Sequence, residues 1–220
     1  MKTIALTLYE YDELNPKAQA KARDWYRSGN DDNSFADSVI EDAEQIAALI
    51  GIEFAKHDVE LVSGKKRQEP SVFWNGFSSQ GDGACFEGNW RASSVKSGAV
   101  KEYAPQDEKL HRIASEFERL ALAFPEASFS VKHSGHYSHE NCTEFTIDLT
   151  GESAVSLSEC GEKAANDAER VLMNAARDFM RWIYRQLEKE YEYQNSDAQI
   201  AETIRINEYT FTADGKRFEA

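Results

Sequence analysis

Nowhere in the 220 residues do about 18 apolar side chains follow one another, the length a membrane-spanning helix requires. The apolar stretch Ile4 to Leu8 is broken by Thr7 and stops at Glu10, too short and too polar for a signal peptide. Cysteine is scarce and odd in number: Cys85, Cys142 and Cys160 include no C-x-x-C pair. With no export signal, the expectation is reduced thiols and a cytoplasmic protein. Neither G-x-G-x-x-G nor G-x-x-x-x-G-K-[ST] occurs, which removes the common nucleotide-binding folds. Internal repeats and low-complexity linkers are missing too. Basic residues are outnumbered, 25 against 39 acids, for a formal charge of −14. Gripping a nucleic-acid backbone needs clustered Lys and Arg, so the chain as a whole is not suited to it. The charge steers the protein toward basic partners instead.

What is present is enough to fold. Hydrophobic residues make up 41% and aromatic ones 11%, well above a disordered composition, so the expectation is one compact domain over 1–220 with a sub-domain boundary near 92–106. Ile4, Leu6 and Leu8 alternate as a short strand. Asn15-Pro16 marks a helix start that carries Ala18, Ala22, Trp25 and Tyr26 inward to about Arg27. Phe35, Val39, Ala43, Ile46, Ala47 and Ile50 recur at helical spacing, and Gly51 stands where a cap belongs. Strand-like stretches follow at Ile52–Ala55 or Val59–Val62, at Ser71–Phe77 and at Ala84–Arg91, with the hairpin-like turn Ser78 to Gly83 between the last two. Residues 92–106 read as a polar surface connection. A helix fits Asp107–Phe124, then two alternating strands around Phe129/Val131 and Phe145/Ile147/Leu149. A long helix at about Glu162–Tyr191 precedes a short one at Asp197–Ile206 and a closing hairpin at 208–218. Helices and hairpins are segregated, which favours an α+β fold: antiparallel hairpins in a sheet packed on about five helices, one of them long and C-terminal.

Five constellations bear on chemistry. Between Asn30 and Glu60 nine acids face one base, and Asp31, Asp32, Asp37, Glu41, Asp42 and Glu44 form a concentrated negative face. His133, His136, His139 and Cys142 have zinc-type donors, but all four sit in one presumed hairpin link, whereas zinc ligands usually arrive as pairs from separate elements. A polar turn accounts for them as well. Cys85 needs a base such as His133 or His136 to act as a nucleophile, and a buried strand thiol is the plainer reading. Gly81-Asp82-Gly83 lacks the further oxygen ligands of a calcium loop, and a tight turn explains both glycines. Lastly, Arg170, Arg177, Arg181 and Arg185 share a narrow arc of the long helix. That stripe can meet nucleic acid, or pair with the Asn30–Glu60 face inside the molecule or across a homodimer.

Three segments carry a resemblance: Tyr9 to Leu14 with Ala22 to Tyr26, then Phe73 to Gly88, then His133 to Glu140, supported by the tail from Glu190 to Phe218. On these the chain resembles a family of small phage and prophage proteins, some labelled "antitoxin of toxin–antitoxin stability system". The resemblance implies a mobile-element setting and brings no chemistry or cofactor with it. Small acidic phage proteins commonly inhibit host defence systems, an analogy of composition and setting. The expectation is therefore a non-enzymatic inhibitor. Its acidic face would dock on a basic nucleic-acid-binding host protein such as a CRISPR–Cas complex, with Trp74, Phe86, Arg177, Arg181 and Arg185 as secondary contact candidates. An antitoxin for a cognate toxin is the first alternative. A Cys/His hydrolase or metalloenzyme built on Cys85 and His133–Cys142 is the second.

Overall fold

Asn15 accepts the backbone N–H of Lys17 and of Ala18 on its Oδ1, at 3.1 and 3.0 Å, and Pro16 supplies the preset φ of a first helical residue. Helix α1 (Pro16–Gly29) follows from that start. The structure, a computed structural model, describes residues 6–29, 34–61, 63–149 and 159–218, without the side chains of 159–164. Among them lie six α-helices and eight short strands, with every named strand pair antiparallel, and the fold is α+β. The chain divides into two compact units. The larger runs from Ser38 to Leu187; the smaller combines the residues up to Asp37 with those from Glu188 onward.

Three strands organise the larger unit, and each changes partner at a single residue. β1 (Ile52–Phe54) continues through Ala55 into β2 (Lys56–Glu60), β3 (Lys66–Pro70) through Ser71 into β4 (Val72–Asn75), and β5 (Gly83–Phe86) through Glu87 into β6 (Gly88–Arg91). The three joints form a closed ring of backbone hydrogen bonds: Ala55 N–H to Glu87 O at 2.8 Å, Glu87 N–H to Ser71 O at 2.9 Å, and Ser71 N–H to Ala55 O at 2.7 Å. On either side of it β1 pairs with β6, β2 with β3, and β4 with β5. The ring satisfies polar groups that three simultaneous kinks would otherwise leave unpaired. The Ile52–Ala55 reading is thus the first half of one bent strand, and of the alternative Val59–Val62 only Val59 and Glu60 fall in its second half, Val62 lying outside the described residues. β3 went unpredicted because its residues, Lys-Arg-Gln-Glu-Pro, are exposed or half-exposed throughout, so no period-two pattern is imposed on them.

β7 (Ser128–His133) and β8 (Thr143–Asp148) complete a four-stranded sheet in the order β1-β6-β7-β8. Its inner face presents Ile52, Phe54, Trp90, Phe129 and Val131, all buried. Trp90 stacks on Phe129 with centroids 5.7 Å apart and meets Phe117 of α4 (Glu108–Ala123), also at 5.7 Å. Its indole N–H donates to Ile50 O at 2.9 Å, fastening the end of α2 (Phe35–Leu49) to the sheet. Gly51 at φ +85° makes that junction; a Cβ there would lie 2.8 Å from Arg91 O. Phe179 of α5 (Glu159–Gln194) packs against Phe54 and Phe86, and both Trp182 and Ile183 belong to its buried stripe. Residues 92–106 are not a plain connection. They hold a short 3-10 turn and α3 (Ser97–Tyr103), whose Ser97 and Val100 are buried, and they lie wholly inside the larger unit. Seven residues are too few for helical periodicity to register.

In the smaller unit α1 packs with α6 (Asp197–Ile206), whose cap Ser196 accepts the Gln199 N–H at 3.2 Å. Tyr11, Leu14, Ala18, Ala22, Ile200, Ile204 and Phe211 are its core. The expected first strand is not seen among the described residues. Ile4 lies outside them, Leu6 is exposed, and the only pairing there is the bridge of Tyr9 with Phe211, which also bridges Arg217. No helix among the described residues is long and apolar enough to cross a membrane.

Candidate functional site

The negative face is carried by α2. Asp31 and Asp32 lie outside the described residues. Asp37 and Glu41, one helical turn apart, are exposed and make no ion pair among the described residues. Asp42 accepts the Tyr103 hydroxyl at 2.5 Å, and that bond, with some burial, pushes the phenol up to about 12. Glu44 pairs with Lys56 at 2.9 Å. Glu44 and Glu53 also border an open groove of about 290 Å³ whose other polar side chains are Asn89, Arg91 and Ser94.

The loop from His133 to Cys142 folds over the turn before β5, so the second and third resemblance segments meet in space. Glycine makes the approach possible. A Cβ at Gly81 would sit 2.5 Å from the Tyr137 ring, and one at Gly83 would sit 3.1 Å from the His139 Cα. Asp82 spends one carboxylate oxygen closing its own turn, accepting the N–H of Ser78 and Ser79 at 2.8 and 2.5 Å. Each histidine has a separate engagement. His133 stacks on Phe73 at 4.9 Å and its Nε2 lies 3.0 Å from Tyr137 O. His136 meets the edge of Tyr137. His139 Nδ1 accepts the Asn141 N–H at 3.1 Å. Cys142 lies under Gly135, where a Cβ would be 3.6 Å from its sulfur. Among the described residues no three His, Cys, Asp or Glu side chains converge as a metal would require. Period-three spacing along one loop spreads these donors instead of gathering them.

Cys85 is fully buried, and burial, reinforced by Cys142, Glu87 and Glu140, pushes its thiol up to about 12. A nucleophile needs the thiolate within reach of substrate, so the cysteine-hydrolase reading loses its central residue. Phe86 also changes role. It is 0% exposed, packed against Phe54 and Phe179, and is a core residue with no surface to offer a partner. Trp74 is half-buried and stacked on Phe77 at 5.8 Å.

The arginine stripe is dispersed by local pairing. Arg170 bonds Asp167 at 2.9 Å, and Arg181 bonds Asp178 at 2.7 Å and Glu140 at 2.8 Å. Arg177 lies over the Phe145 ring at 5.8 Å with its buried Nε unpartnered, and Arg185 is exposed. No ion pair joins these arginines to the α2 acids among the described residues, so the stripe does not neutralise Asp37, Glu41, Asp42 or Glu44 there. Its own helix and the histidine loop supply nearer carboxylates.

Sequence reasoning missed a cleft of about 300 Å³ in the smaller unit, lined by Lys21, Trp25, Gly215, Lys216 and Arg217. Only the adjacent pairs Trp25-Tyr26 and Lys216-Arg217 hinted at it, and nothing local links two segments so far apart. No curated protein and no solved structure matches the chain. The profile of DUF8835, a domain of unknown function, does match, over residues 35–197. That span takes in the whole larger unit, from α2 to the start of α6, and so the chain belongs to the DUF8835 family.

Proposed function

We propose that this protein is a non-enzymatic binder whose acidic α2 face docks on the basic surface of a nucleic-acid-binding protein, a host defence complex of the CRISPR–Cas kind being the leading case. The observation that carries the reading is the pair Asp37 and Glu41. Both are exposed and without an ion pair among the described residues, on a helix whose other acids, Asp42 and Glu44, extend the same negative field. A row of carboxylates spaced by helix turns presents to a basic channel what a phosphate backbone presents, fixed negative charge at regular intervals. Burial of Cys85 counts against the competing hydrolase.

Charge complementarity acts mainly on the association rate. The test uses a guide-loaded CRISPR surveillance complex, and basic nucleic-acid-binding proteins captured from host lysate, as partners. Association is followed by stopped flow for the wild type and for the Asp37→Lys, Glu41→Lys double variant. The expected result is association slowed about tenfold or more at low salt, a deficit that shrinks as ionic strength rises, and DNA binding by the partner blocked only by the wild type. Association of the double variant at the wild-type rate at low salt would reduce the acidic face to a solubility feature.

A further inference from the structure

The cleft of the smaller unit reverses the charge of the chain around it. Gly215, at φ +81°, brings the closing turn so near α1 that a Cβ would sit 2.2 Å from Ala18 O. This sets Lys216 and Arg217 beside Lys21 and Trp25, which are one helical turn apart on α1. Lys21 and Lys216 share a single acid, Asp214, at 2.8 and 3.9 Å. Arg217 makes no ion pair among the described residues. Its guanidinium is held over both the Tyr209 ring, at 4.7 Å, and the Trp25 ring, at 5.8 Å, while one terminal nitrogen donates to Thr210 O at 3.1 Å and to Phe218 O. Three cations and one acid therefore face an indole in a chain of net charge −14. The Trp25 N–H donates to no group among the described residues.

We propose that this cleft binds a nucleotide, its phosphate among Lys21, Lys216 and Arg217 and its base against the Trp25 indole. A guanidinium already oriented by two rings loses little freedom in meeting a phosphate, and its Nε and Nη2 edge, which meets no acceptor among the described residues, presents two parallel donors that phosphate oxygens match. A planar base gains stacking on an aromatic wall. Tyr26, Tyr209 and Phe211 meet Trp25 edge-on, so the base uses the part of the indole that lines the cleft. The volume sits at the lower end of the range of about 300–1,000 Å³ usual for small-ligand sites. A free mononucleotide and the end of a single strand offer the same chemistry. The site lies in the smaller unit and is independent of the α2 reading.

The full chain, with its four tryptophan indole signals assigned by NMR, is titrated with AMP, adenosine, inorganic phosphate and a short deoxyadenosine oligonucleotide. The expected result is a saturable shift of the Trp25 signal with AMP, and binding weaker by about tenfold or more for adenosine and for phosphate alone. Lys216→Glu, at an exposed rim position, weakens AMP binding about tenfold at unchanged melting temperature, whereas Lys216→Arg retains it. An oligonucleotide that moves the same signal more tightly than AMP, with the same Lys216→Glu sensitivity, assigns the ligand to strand ends; otherwise it is the free nucleotide. The proposal is overturned if neither AMP nor the oligonucleotide shifts Trp25 up to about 5 mM, if phosphate alone binds as well as AMP, or if Lys216→Glu changes nothing.

Discussion

The thiol of Cys85 sits on a strand with no exposed neighbour, and the nearby groups Cys142, Glu87 and Glu140 all oppose its ionisation. At about 12, its acidity leaves on the order of one thiolate per 10⁵ molecules at pH 7. Burial closes the second route, because the reagent must reach the sulfur. Native protein exposed to iodoacetamide at pH 7 should therefore carry no label on the peptide containing Cys85 while the half-buried Cys142 is modified. Unfolding in guanidinium should make the two equally reactive. Labelling of Cys85 in the folded protein at the rate of Cys142 would return the residue to the list of candidate nucleophiles. The expectation of a buried strand thiol is met, and it rests on the habit of free cysteine and not on any pattern, since a four-residue strand buried at every position has no alternation from which to read its burial.

At the scale of elements, the ring joining Ala55, Ser71 and Glu87 fixes three bent strands at once, and Gly88 lies next to it. A Cβ at Gly88 would sit 2.3 Å from Glu53 O, a backbone atom that cannot swing aside. Gly88→Ala should cost about 1–3 kcal/mol, the range of overpacking, by forcing β1 and β6 apart at their Phe54–Gly88 register. Urea denaturation would show a lower midpoint at an unchanged slope. A wild-type midpoint would mean that the strands tolerate a wider spacing. These elements also show what periodicity can carry. α6, the Asn15 cap and the β7–β8 pair were readable because a cap or an alternation is written in a few consecutive residues. The β2–β3 hairpin is wet on both faces and has no such mark, and α3 is too short for one. The acidic face could be counted directly from the chain. The packing of the histidine loop on Gly81 and Gly83 depends on contacts between segments about fifty residues apart, which no local pattern encodes.

Across the whole molecule, charge and chain closure are coupled. The smaller unit is built from two segments distant in sequence, and four ion pairs join one to the other: Lys21 to Asp214 at 2.8 Å, Arg205 to Asp12 at 2.8 Å, and Arg23 and Arg27 to Asp197. Hydrogen bonds from Arg205 and Arg27 hold Asp12 and Asp197 below their ordinary 3.8, and those from Lys21 and Thr212 bring Asp214 to about 2. A carboxylate whose acidity is strengthened by folding contributes stability above its unfolded value and loses it as pH falls through its folded value. The window here runs from about 4 down to about 2. All three acids are exposed, so each pair contributes little and solvent screens it. They act together, however, on the seam between the two segments, alongside the apolar core that joins α1 to α6 and Phe211. Below pH 4 the 39 acids also lose their charge, leaving the 25 lysines and arginines to repel one another. Hydrogen exchange followed from pH 5 to pH 2.5 should therefore show amides of α1 and α6 losing protection before those of β6 and β7, which lie in the apolar core around Trp90 and Phe129. Added salt should weaken both contributions: it screens the bridges, so the smaller unit opens at higher pH, and it relieves the repulsion, so the larger unit persists to lower pH. Simultaneous loss of protection in all four elements would show that the bridges joining the two segments do not set the acid limit of the fold, and that general charge repulsion does.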